Sequence, residues 1–143
     1  MRYLGIDYGM KRVGVALSDE TGEFALPFSV LPNGGGLLTA MAGICRDKNI
    51  GAIVLGESKN FAGEDNPLQE KINQFKKALE QTTGLPVKLE PEFFTSAEAA
   101  RLQLRYPDGR RRANKMLDAS AAALILKSFL DKFSQKKPPV KVA

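Results

Sequence analysis

Large apolar residues and small or polar ones alternate at the start of this chain. Across Arg12–Ser18, Val13, Val15 and Leu17 alternate with Gly14, Ala16 and Ser18. That period of two belongs to a strand with one bulky face and one small face. Arg2–Asp7 has the same pattern, with Leu4 and Ile6 on one face and Gly5 and Asp7 on the other. The short Gly-containing connection between the two segments predicts a hairpin. If the two small faces coincide, Asp7 lies on a surface that something bulky can approach. Phe24–Leu31, after the Thr21-Gly22 turn, reads as a third strand.

The pattern then changes period. Asn33 and three glycines lead into a helix over Leu37–Lys48, and Gly51–Glu57 is a near-continuous apolar run, as a buried central strand requires. Leu68, Ile72, Phe75 and Leu79 step by helical intervals and predict a helix over Pro67–Thr82. Pro86–Glu90 reads as a strand, and Thr95-Ser96-Ala97-Glu98 fits a capping box that starts a further helix. After a basic, Gly-containing loop, Ala113–Phe133 is the longest predicted helix. Residues 136–143 read as a flexible basic tail on a single domain of residues 1–135. Hairpins first and strand–helix alternation afterwards predict an α/β fold, a mixed sheet with helices on both faces.

Composition narrows the chemistry. The chain of 143 residues has no histidine and one cysteine, Cys45. Ser-His-Asp and Cys-His nucleophile systems, His-pair acid–base chemistry and imidazole zinc sites are therefore excluded. A metal site here would be built from carboxylates and would favour a hard ion, Mg2+ or Mn2+. The lone cysteine fits a reducing cytoplasm, and no stretch approaches a membrane span, so no membrane partner is expected. Charge is uneven: from Arg101 onward there are 11 Lys/Arg against 3 Asp/Glu, while the first hundred residues hold 10 against 13. A basic C-terminal third on a weakly acidic body suits a polyanion, although a solvated basic helix and tail has the same composition.

Three acids stand out by position. Asp7 ends the first strand, Glu92 follows the last, and Asp118 heads a stripe of Ala122, Ile125, Phe129 and Phe133 on the long helix. Carboxylates meeting at strand ends suit two divalent ions, a pair able to activate water and stabilise a leaving oxygen in phosphodiester hydrolysis. Each has a plainer reading. Asp7 before Tyr8-Gly9 could form a turn, Glu92 could be a solvated loop acid, and Asp118 could pair with Lys115 or Arg111. Glu57, at the end of the central strand, is a candidate fourth ligand or a solvated loop residue. Arg110, Arg111, Arg112 and Lys115, with Lys11, Arg12 and Lys59, could grip phosphates.

"GIDYGMKRVGVALSD" closely resembles the opening of the YqgF/RuvX family of RNase H-like proteins, and "NKMLDASAAALILKSFLD" resembles its closing helix. "IVLGES" and "GLPVKLEPEFFTSAEA" extend the resemblance over nearly the whole chain. It implies a five-stranded RNase H-like mixed sheet and a metal-dependent endonuclease acting on structured RNA or branched DNA. The family is linked to processing of the small-subunit (pre-16S) ribosomal RNA precursor and to Holliday junction resolution. Its three acidic ligands fall on Asp7, Glu92 and Asp118. The family's usual Asp-Glu-Arg is Pro91-Glu92-Phe93 here, its Gly-Leu-Pro is Gly56-Glu57-Ser58, and Met10 replaces a common threonine. The related RuvC resolvases carry a glutamate near Glu57. The resemblance leaves two other readings in play: an RNA-binding assembly factor without catalysis, and a nucleotide-binding lobe of the actin or sugar-kinase type. It also leaves both a monomer and a weak homodimer open, the latter being what a resolvase needs for symmetric cuts.

Overall fold

The computed structural model describes residues 1–57, 67–91 and 110–136, with side chains at 1–57, 68–91 and 119–132. Within these residues five strands and three helices follow one another: β1 Arg2–Tyr8, β2 Arg12–Ser18, β3 Ala25–Pro32, α1 Leu37–Asp47, β4 Ile50–Glu57, α2 Pro67–Thr83, β5 Val87–Pro91 and α3 Arg110–Lys136. The strands form one sheet in the order β3-β2-β1-β4-β5. β1, β2 and β3 pair antiparallel, whereas β4 joins β1 and β5 joins β4 in parallel. The mixed α/β architecture expected from the pattern is the one found. The helix expected from Thr95 lies outside the described residues.

Alternation along the strands sorts the core into two layers. Leu4, Ile6, Val13, Val15, Ile53 and Leu55 meet Leu37 and Met41 of α1 and Ile72, Phe75 and Leu79 of α2. The other face carries Tyr3, Ala16, Ala52 and Val54 and is covered by Ala122, Ile125, Leu126 and Leu130 of α3. Each fully buried Leu or Ile contributes roughly 1.5–3 kcal/mol, so both layers are substantial. β4, buried on both faces along most of its length, shows why its sequence reads as an unbroken apolar run.

The small faces of β1 and β2 do coincide, since Gly5 lies opposite Ala16 and Asp7 opposite Gly14. The bulky element that approaches them is α3. A Cβ on Gly5 would sit 2.8 Å from the Leu126 Cβ and 3.0 Å from the Ala122 carbonyl oxygen. Only glycine allows that approach.

Several boundaries differ from the sequence expectation. β3 starts at Ala25 because the Asp19 carboxylate accepts the N–H groups of Glu23 and Phe24 at 2.8 and 3.0 Å, drawing both into the turn. β5 runs on to Pro91, which an edge strand tolerates because its outer side needs no donor. The tribasic run is the largest difference. Arg110, Arg111 and Arg112 open α3 rather than lying in a loop before it. Arginine is a good helix former, and the breaker Gly109 stands just ahead of it. No helix among the described residues is long and apolar enough to cross a membrane.

Candidate nuclease site

Asp7 is the penultimate residue of β1, half-buried and on the face that carries α3. Its cross-strand partner Gly14 has no side chain, and this leaves room beside the carboxylate. The turn beyond is tightly held: the Gly9 N–H donates to the Arg12 carbonyl at 3.0 Å, and a Cβ on Gly9 would lie 2.5 Å from that oxygen. Asn33, just after β3, clamps the same turn. Its Nδ2 donates to the Gly9 carbonyl at 2.8 Å and its N–H to the Lys11 carbonyl at 3.0 Å. From sequence Asn33 is only a lead-in to α1, because nothing local shows which turn it reaches. Lys11 and Arg12 are exposed at this tip, at the same sheet end as Asp7.

α3 runs antiparallel to β1. The Phe129 and Tyr3 rings meet at 5.7 Å between centroids, and Leu126 and Ala122 lie against Gly5. Advancing along β1 therefore means moving back along α3. Two residues beyond Gly5 comes Asp7; one turn before Ala122 comes Asp118. Asp118 belongs to the backbone of α3, while its side chain lies outside the described ones, as do those of Arg110, Arg111, Arg112 and Lys115. Glu92, Phe93 and Lys59 lie outside the described residues altogether. Among the described side chains, no three possible metal ligands gather.

Glu57 stands apart from Asp7. Ile6 pairs with Leu55, both in the layer facing α1 and α2, and Glu57 has the same parity as Leu55. Its neighbour Gly56 shares the α3 face with Ala52 and Val54, and a Cβ there would meet the Ile125 Cδ1 at 2.6 Å.

One further acid, which the sequence does not single out, is firmly built in. Glu90 of β5 is 3 % exposed, yet it accepts hydrogen bonds from the Ser128 Oγ at 3.0 Å and the Lys132 Nζ at 2.5 Å. A buried carboxylate needs such partners, and here both come from α3. The pair ties β5, two residues before Glu92, to the helix that carries Asp118. No short-range pattern links positions so far apart in sequence; the sole local sign was an acid inside a strand.

Known proteins resemble this chain in both sequence and fold. A protein of Pelotomaculum thermopropionicum is 36 % identical over 141 residues, spanning 96 % of this chain and 90 % of its own length. One of Bacillus subtilis is 36 % identical over 135 residues, spanning 92 % and 98 %. Both bear the name "Putative pre-16S rRNA nuclease". Among solved structures, RuvC of Thermus thermophilus superposes with a TM-score of 0.56 at 16 % identity, covering 96 % of this chain and 99 % of that one. The Fowlpox virus resolvase, solved with Holliday junction DNA, superposes with a TM-score of 0.57 at 14 % identity, covering 93 % and 99 %. At such identities these two establish the fold alone, an RNase H-like one. Residues 1–132 match the family described as "RuvX: Holliday junction resolvase", and with relatives this similar over most of its length the chain belongs to that family.

Proposed function

We propose that this protein is a divalent-metal-dependent endonuclease that hydrolyses phosphodiester bonds in structured nucleic acid. Its substrate in this reading is the precursor of the small-subunit ribosomal RNA, met in the cytoplasm. The observation that carries the proposal is the register of α3 on β1: Phe129 on Tyr3, then Ala122 and Leu126 on Gly5, so that the helical turn before Ala122, which includes the backbone of Asp118, continues in the direction of the Asp7 end of the strand. Family membership supports it, through relatives named for nuclease action on pre-16S rRNA.

Asp7, Glu92 and Asp118 are the proposed ligands. The donor set fits Mg2+ or Mn2+: every candidate is a hard carboxylate oxygen, the chain has no imidazole, and Gly14 leaves space beside Asp7. When bound, such ions supply an activated water and stabilise the leaving oxygen. Glu57 is left out of the set because it shares the face of Leu55. Lys11, Arg12, Lys59, Arg110, Arg111, Arg112 and Lys115 are assigned to phosphates. The N-terminus of α3 adds its own positive end to the three arginines there. Phosphate contacts of this kind position a strand without reading its sequence.

The test is cleavage of pre-16S rRNA and of a four-way DNA junction by purified protein, with Mn2+ and with a chelator. We expect the RNA to be cut with Mn2+ only, and Asp7→Asn to abolish cutting while the protein stays folded. If neither substrate is cut, or if Asp7→Asn cuts as well as the parent, the proposal fails.

A further inference from the structure

α2 delivers a lysine to the tip of the β1–β2 turn. The Phe75 ring packs on the Tyr8 ring with 4.8 Å between centroids. One turn back along the helix, the Lys71 Nζ stands 3.9 Å from the Met10 Sδ, a weak acceptor. α2 therefore runs antiparallel to β1, and its first turns lie at the sheet end where Asp7 is found. Met10 is 57 % exposed, and Lys11, Arg12 and Lys71 are exposed around it. Elements far apart in sequence thus gather cations at one tip. Met10 follows Asp7 by three residues, so at most about 11 Å of chain separates the two.

The neighbouring acids do not neutralise Lys71. Ile72, Phe75 and Leu79, with Leu68, form the inward stripe of α2. Glu70 comes out opposite that stripe and points away from the sheet, whereas Lys71 lies on its flank. Glu57 ends β4, which lies on the far side of β1 from β2. Among the described residues the Lys71 ammonium meets no carboxylate within ion-pair distance. A lysine propped by a thioether rather than paired with an acid keeps its charge for a polyanion.

We propose that Lys71 is a phosphate contact for the nucleic-acid strand cut at Asp7, and that Met10 is the residue that positions it. The proposal rests on the nuclease reading and adds α2 to the substrate surface. Lys71 carries the cations of Lys11 and Arg12 round to the α2 side of the sheet. A stacked strand rises about 3.4 Å per nucleotide, so the contact falls within a few nucleotides of the cut. Such a contact holds the strand without reading its bases. Lys71 touches no reacting group, so it serves binding and not the chemical step.

Binding of pre-16S rRNA across a salt series in chelator, together with cleavage in Mn2+, tests it. Lys71→Gln should weaken binding several-fold and reduce the slope of log affinity against log salt by about one. It should raise KM several-fold and leave kcat unchanged. Lys71→Arg should keep the parental slope. So should Lys77→Gln, which removes an exposed lysine pointing away from the sheet on the same helix. Met10→Ala should weaken binding less, and should add nothing to Lys71→Gln, because it acts through that lysine. An unchanged slope in Lys71→Gln overturns the proposal. An equal loss in Lys77→Gln does so too, since net charge alone would then be the cause. So does a fall in kcat with KM unchanged. A parent that binds RNA without cutting it sinks the nuclease reading, while the slopes still decide Lys71. A parent that binds no RNA sinks both.

Discussion

Asp19 organises the turn between β2 and β3 with a single carboxylate. It accepts the N–H groups of Phe24 and Glu23 and the Thr21 hydroxyl, while Gly22 supplies a positive φ of 76°. The Phe24 N–H and then the Thr21 hydroxyl lower its pKa from 3.8 to about 2. A carboxyl more acidic folded than unfolded stabilises the fold above its unfolded pKa, and the benefit disappears as pH falls through the folded value. Asp19→Ala should therefore melt below the parent at neutral pH. The gap should close between about pH 4 and pH 2, as thermal melts followed by circular dichroism across that range can measure. A gap independent of pH would mean that the carboxylate's charge is irrelevant to the turn. Cys45 is the opposite case: burial alone raises its thiol to about 11, which leaves it an inert core residue.

At the scale of elements, two glycines set how close α3 comes to the sheet, and they are not equivalent. A methyl on Gly5 meets the Ala122 carbonyl and the Leu126 Cβ, neither of which can rotate away. One on Gly56 meets the tip of Ile125, which can turn to another rotamer. Gly5→Ala should cost about 2–3 kcal/mol in urea unfolding, the overpacking range. Gly56→Ala should cost less than half as much, partly offset by about 0.4–1 kcal/mol from a stiffer unfolded chain. Equal costs would contradict the close contact of α3 on β1. Strand and helix identities were legible because periods of two and of helical turns are local. The position of Asp7 at a strand end on the small face was legible for the same reason. The approach of α3 through Gly5, the tie from Glu90 to Ser128 and Lys132, and the clamp by Asn33 were not. Each depends on residues that meet only after the chain has folded. The tribasic run was misplaced because charge pattern says where a segment is solvated, not whether it is coiled.

Across the whole molecule, the sheet separates two tasks. On one face α3 runs back along β1 towards Asp7, with Lys11 and Arg12 at the neighbouring tip. On the other, α1 and α2 complete the larger core. Membership of the RuvX family fits the first task, because phosphodiester hydrolysis needs charged groups that a polyanion can reach. In the proposed site Asp7, Glu92 and Asp118 hold a divalent ion between them. Anomalous scattering from crystals of the protein soaked in Mn2+ measures this most directly. The expected result is a manganese peak bonded to the Asp7 carboxylate and shared with Asp118 and Glu92 on the α3 face of β1. Manganese bound elsewhere in the molecule, with none at Asp7, would contradict it.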